Sequence, residues 1–200
     1  MPTPVNGCYN HRTGELSMAV AFPENFRPLR RTEYDKLVEL GAFGKERIEL
    51  MYGVLVPMSP IGARHCDATD MLMLLLIRAL GDRARIRVQH PFAAGDISEP
   101  EPDLLVAPLA RYNVEHPSIA HLVIEVSESS LKYDRETKLR LYAEQGVPEC
   151  WIVDVVARRI EVYREPTGSS FESKRVYEPG EVISLLTFPD ATIAVAEVLN

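Results

Sequence analysis

The chain has 200 residues, 46% hydrophobic and 26% charged, the size and balance of one α/β domain that can bury a core without disulfide or metal staples. With 29 Asp and Glu against 22 Lys and Arg, the formal charge of -7 excludes a protein that coats nucleic acid through a generally basic surface. Affinity for a phosphate backbone rests on Lys and Arg displacing counterions, so any DNA contact must come from a local basic patch, a bound metal or a groove shared by two subunits. Three scattered cysteines (Cys8, Cys66, Cys150) form no CxxC pair and fit a reducing compartment. No signal-like run opens the chain, and its most apolar stretch, residues 71–77 (MLMLLLI), is too short to span a bilayer. A cytoplasmic protein with no membrane partner is expected.

Residues 1–28, rich in Pro, Asn and Gly, read as a loosely held arm, with a single domain over 29–200. Thr32 resembles an N-cap, followed by Glu33 and Asp35 where carboxylates favour the helix dipole; Tyr34, Leu37, Val38 and Leu40 have helical spacing, and Gly41 ends the helix. Ile48, Leu50, Val54 and Val56 flank Tyr52-Gly53 and predict a hairpin turning there. A second helix is expected over 61–80, with His65, Thr69, Leu72, Leu76 and Ala79 on one face. Its all-round apolar run suggests cover on two sides, by the sheet and by the partner of a homodimer. Strands follow at about 85–94, 102–107 and 120–127, then a helix at about 134–145 closed by Gly146 and Pro148. Further strands fall at about 150–155, 159–164 and 171–177, with a last short strand and docking segment over 182–199. Arg83, Arg85 and Arg87 form the best basic stretch, on one face of an edge strand. The fold class is α/β, with a mixed sheet flanked by helices.

Three residues break local rules. The segment 121–127 (HLVIEVS) reads as a buried central strand, and Glu125 stands in its middle. A carboxylate there costs several kcal/mol (roughly) unless it is paired, protonated or bound to a cation. Asp103 follows Pro102 and opens another buried strand, where Pro is tolerated. Neighbouring strands would bring Asp103 and Glu125 within reach of one divalent ion, and hard oxygen ligands suit Mg²⁺ or Mn²⁺. Asp134, Lys138 and Tyr142 fall four apart on one helix face, so Lys138 either snorkels outward or turns in toward the carboxylates.

Taken in order, Pro102-Asp103, Glu125-Val126-Ser127 and Asp134-x3-Lys138-x3-Tyr142 resemble the signature of the Uma-type restriction endonuclease family, within the PD-(D/E)XK nuclease superfamily. Arg47-Ile-Glu49-Leu, Met58-Ser-Pro60 with His65, and Gly146-Val-Pro-Glu149-x-Trp151-x-Val153-Asp154 add to it, so the resemblance runs from about Leu29 to the C terminus. It implies a restriction-endonuclease-like fold and Mg²⁺-dependent hydrolysis of DNA phosphodiester bonds, with Mn²⁺ as a substitute. Asp103 and Glu125 would be metal ligands, with the Val126 carbonyl as a further one. Glu49 would complete the acidic cluster or hold a metal-bound water, and Lys138 would stabilise the attacking water or the charge on the phosphate. Ser127 occupies the place where the superfamily pattern has its lysine, so the resemblance implies a lysine relocated to the next helix. Members often carry an acidic residue in the turn where this chain has Met51-Tyr52-Gly53. His65 either faces the site or bonds the helix start; Tyr142 and Trp151 read as packing residues, with contact to the site as the alternative for Tyr142. Two other functions remain open: a nuclease fold without catalysis that acts as an interaction module, and a hydrolase of a small phosphoester.

Overall fold

The structure, a computed structural model, describes residues 26–199. Most of the expected N-terminal arm therefore lies outside the described residues, as does Cys8. Ten strands and five α-helices run in the order α1 (Arg31–Glu39), β1 (Ile48–Met51), β2 (Val54–Pro57), α2 (Ala63–Leu80), β3 (Ala84–Val88), β4 (Leu104–Pro108), β5 (Leu122–Ser127), α3 (Leu131–Tyr133), α4 (Leu139–Glu144), β6 (Glu149–Asp154), β7 (Arg159–Thr167), β8 (Ser170–Tyr177), β9 (Val182–Ser184), β10 (Thr192–Ala194) and α5 (Val195–Val198) among the described residues.

Strands β3 to β8 form one six-stranded sheet in sequence order. Only β5 and β6 are parallel; the other neighbours are antiparallel. Parallel neighbours cannot be joined by a tight turn, and the helical segment 131–144 supplies the crossover. Both faces of the sheet are covered, which is why β5 and β6 are buried along their whole length. Alternation sends Leu104, Val106, Ile124 and Val126 toward Leu72 and Leu76 of α2. It sends Leu105, Val123 and Ile152 toward Leu141 and Tyr142 of α4. The β9–β10 pair and α5 close the α2 side with Ile183, Ile193, Val195 and Leu199.

The Tyr52-Gly53 hairpin forms as expected, with positive φ at both central residues (52° and 77°). Gly53 is required twice over, because a Cβ there would stand 2.2 Å from the Pro28 Cβ.

Several boundaries differ. Helix α1 is capped at Arg30 rather than Thr32, since the Glu33 carboxylate accepts the Arg30 N–H at 2.9 Å. Strand β3 ends at Val88 instead of 94, where Gln89 takes a φ of 50° and Pro91 offers no donor. The crossover helix begins at Leu131, not 134, and the tail holds two paired strands rather than one. Arg83 lies in a 3-10 turn before β3 and binds Asp190 at 2.7 Å, so the three arginines do not share a strand face. In the apolar run of α2, Leu72, Leu75 and Leu76 are buried while Leu74 and Ile77 are exposed. No helix of the described residues is long and apolar enough to cross a membrane.

Helix α1 docks beside the β1 hairpin through one buried acid. Glu99 exchanges backbone hydrogen bonds with Leu50, and its carboxylate lies 3.7 Å from Arg31, whose own N–H donates to the Asp96 carbonyl. Burial, with Asp35 adding to it and Arg31 opposing, raises the Glu99 pKa from 4.5 to about 7. Between those two values the unfolded chain releases a proton that the folded chain keeps, so this group removes stability as pH rises through that window, with no further loss above about 7. Denaturant titrations across that range should therefore show a decline with pH that Glu99→Gln flattens; parallel curves for the two proteins would refute the assignment.

Candidate functional site

A cleft of about 330 Å³ lies between the β1–β2 hairpin, the start of α2 and the segment that follows β5. Its described lining includes Glu49, His65, Asp103, Glu125, Asp134 and Lys138. Each of these is delivered by a local rule. Strand β1 ends in the hairpin that turns Glu49 inward, and the residue is 2% exposed. Strands β4 and β5 pair with Leu104 opposite Ile124, and continuing that register by one residue sets Asp103 opposite Glu125. Between α3 and α4 the helix passes through a π-helical segment, Asp134–Lys138, in which the Leu139 N–H reaches back to the Asp134 carbonyl. Such insertions recur at functional sites. Here the segment keeps Asp134, Lys138 and Tyr142 all turned to the sheet and buried.

Lys138 turns inward. Its ammonium lies 3.3 Å from Glu49 Oε2 and 3.3 Å from Glu125 Oε2. The other Glu125 oxygen, Oε1, accepts the Tyr142 hydroxyl at 2.5 Å. Glu49 is held further by the Tyr133 hydroxyl at 3.2 Å and the Glu101 N–H at 3.3 Å. On the neighbouring strand, Asp103 Oδ2 accepts the Val126 N–H at 2.8 Å and lies 3.0 Å from His65 Nε2. Among the described residues Asp103 Oδ1 meets only Gln89 Nε2, at 3.3 Å. Ser127, at the place of the superfamily lysine, donates with Ser130 to Asp134 Oδ2.

The electrostatics are lopsided. Six carboxylates and one amine are found among the described residues that line the cleft. Burial drives the Glu125 carboxyl well above its ordinary range; Lys138 opposes this, while Asp134 and Asp103 add to it. Asp134 is raised for the same first reason, although Lys138 and the two serine hydroxyls pull it down. Burial disfavours charge on Lys138, but Glu125, Glu49, Asp134 and Asp103 outweigh it and hold the ammonium well above its usual pKa. All three groups hold their protons more tightly than usual, the two acids chiefly because they are buried and Lys138 because carboxylates surround it.

That shortage bears on a metal. No group of three His, Cys, Asp or Glu among the described residues is arranged to hold one. Mg²⁺, however, asks for only one or two carboxylates and completes its shell with water and substrate oxygens. Asp103 and Glu125 are hard oxygen donors on adjacent strands facing one acidic cleft, so the donor chemistry fits. In an extended strand a residue's N–H and C=O point to the same side, which directs the Val126 carbonyl toward Asp103 as well.

The structure decides two residues that the sequence left open. Tyr142, read as packing, is fully buried but spends its hydroxyl on Glu125; its four-residue offset from Lys138 was the available signal. His65, left open between two roles, pairs with Asp103 rather than with backbone. Trp151 does pack, and its indole N–H donates to Glu149 at 3.0 Å.

The family and the fold are those of a nuclease-like protein. The sequence profile of the family described as "Uma2: Putative restriction endonuclease" matches residues 32–196, and the chain belongs to that family. Among solved structures it is similar to that of "a putative nuclease belonging to DUF820" from Anabaena variabilis ATCC 29413, with a TM-score of 0.69 at 17% identity, covering 86% of this chain and 98% of the other. At that identity the likeness establishes a shared fold, the restriction-endonuclease-like α/β sheet. No curated protein matches the chain.

Removing one partner of a buried ion pair leaves an uncompensated charge that costs about 3–5 kcal/mol. Lys138→Met keeps the volume and should lower the melting temperature by roughly 10 °C for a domain of this size. An unchanged melting temperature would mean that the ammonium does not sit between Glu49 and Glu125 in solution.

Proposed function

We propose that this protein is a cytoplasmic, Mg²⁺-dependent endonuclease that hydrolyses DNA phosphodiester bonds, with Mn²⁺ able to replace Mg²⁺. The observation that carries the reading is the meeting of the Lys138 ammonium with Glu49 and Glu125 beside Asp103, in a cleft with an excess of carboxylates. Asp103, Glu125 and the Val126 carbonyl would hold the metal. A bound dication would supply Lewis acidity toward a phosphoryl oxygen and would lower the pKa of a water. Lys138 presents positive charge to a phosphate whose oxygens gain negative charge in the transition state. Glu49 keeps that ammonium in place through its 3.3 Å contact, and its own grip by Tyr133 and Glu101 keeps it from following the lysine outward. Because Lys138 is almost fully buried, its charge is weakly screened and acts at short range.

One set of observations favours a second reading, a nuclease fold that serves as an interaction module. The formal charge is -7, and the best basic stretch is engaged within the chain. Arg83 binds Asp190, Arg85 faces the Ala110 carbonyl, and Arg87 stacks on Tyr112 and meets His116.

Two measurements separate these. Isothermal calorimetry with Mn²⁺ should detect binding to the wild-type chain that Asp103→Ala and Glu125→Ala abolish. Supercoiled plasmid incubated with protein and Mn²⁺ should be nicked, and Lys138→Ala should stop the nicking. Metal binding without cleavage of any DNA form would favour the interaction module, and equal binding by wild type and both alanine variants would remove the metal site.

A further inference from the structure

The buried carboxylates of this protein are held in two chemically different ways. Glu161 is gripped by cations: Arg135 at 2.6 Å, Lys174 at 3.2 Å and Arg159 at 3.9 Å. Although burial opposes it, hydrogen bonds from Arg135, Tyr163 and Lys174 hold the Glu161 pKa down at about 2. Glu149 is likewise met by Arg164 at 2.7 Å. Such carboxylates are matched at close range by arginines and lysine of their own chain.

Asp103 and Glu125 are held differently. On each, one oxygen takes the close hydrogen bonds. Asp103 Oδ2 takes the Val126 N–H and His65 Nε2, at 2.8 and 3.0 Å, while Oδ1 has only the 3.3 Å contact from Gln89. Glu125 Oε1 takes the Tyr142 hydroxyl, while Oε2 is left facing the Lys138 ammonium at 3.3 Å. The gripping atoms belong to buried residues: Tyr142 is 0% exposed and His65 7%. A phenol and a backbone amide carry no charge. His65 Nδ1 is buried with no hydrogen-bond partner among the described residues, so the ring is held through Nε2, 3.0 Å from Asp103. Uncharged donors such as this phenol and this amide fix the rotation of a carboxylate without cancelling its charge, which is what a carboxylate that must still attract a dication requires.

We infer that His65 and Tyr142 are positioning residues: His65 sets Asp103, and Tyr142 sets Glu125, so that each presents one oxygen to a divalent cation. The inference rests on the metal-dependent reading above. Outer partners of this kind change metal affinity by about 10–100-fold when removed. A packing role would instead change only the stability of the metal-free fold.

The test is Mn²⁺ titration calorimetry on the full chain, with metal-free melting curves alongside. Tyr142→Phe removes one oxygen atom, and His65→Ala removes the donor to Asp103. His65→Gln returns an amide N–H near the place of Nε2. Tyr142→Phe and His65→Ala should each weaken Mn²⁺ binding by about 10–100-fold, with His65→Gln close to wild type. If all three variants bind as wild type does while their melting temperatures fall, the positioning roles are overturned and the metal reading stands. If wild type itself binds no Mn²⁺, the metal reading fails and takes this inference with it. Should Tyr142→Phe not fold, the two His65 variants decide: equal affinity in both overturns the proposal, and loss in alanine with recovery in glutamine supports it.

Discussion

The ammonium of Lys138, buried between Glu49 and Glu125, allows one end of the sheet to carry several carboxylates out of reach of bulk water. A buried charge left alone costs several kcal/mol (roughly), so the pair survives only if its partners arrive together. Three separate pieces of the chain deliver them: the β1–β2 hairpin brings Glu49, the β4–β5 register brings Asp103 and Glu125, and the π-helical segment brings Lys138. The fold is in this sense arranged around one cation. Its single positive charge is outnumbered by the acids that surround it, and burial, with those neighbouring acids, raises Glu125 and Asp134 against the pull of Lys138.

The same logic explains how much could be read before any coordinates. Glu125 was legible because a charge inside an otherwise continuous apolar run is conspicuous in a central strand, and Asp103 because Pro102 marks a strand mouth. Lys138 was legible from its four-residue spacing to Asp134, which settles the face but not whether a long side chain turns in or out. What decided that was tertiary: Glu49, distant in sequence, supplies a second oxygen at 3.3 Å. The elements between 48 and 177 lie close to where periodicity puts them. Misplaced ends fall where one backbone conformation or one side chain overrides the pattern, as Gln89 does after β3 and Glu33 does at α1.

The criterion that singled out Glu125 would equally have singled out Glu161, a buried carboxylate in β7. Arginines and a lysine turn Glu161 into a structural ion cluster, whereas Glu125 meets a phenol and one shared ammonium. Burial of an acid in a strand is therefore only half of a functional signal. The charge of what holds it is the other half, and that depends on side chains from elements far apart in the chain. The same reasoning bears on substrate. The arginines at the β3 edge are occupied by their own chain, so the attraction for a phosphodiester would have to come from Lys138 and a bound dication rather than from a basic surface.

Crystals of the wild-type chain soaked in Mn²⁺ and measured at a wavelength where manganese scatters anomalously would locate the ion directly. The expected map has one anomalous peak within coordinating distance of Asp103 and Glu125, with the Lys138 amine still beside it. A peak held by other residues, or no peak in a crystal whose cleft is open to solvent, would contradict the central claim that this acidic pocket is built to receive a divalent cation.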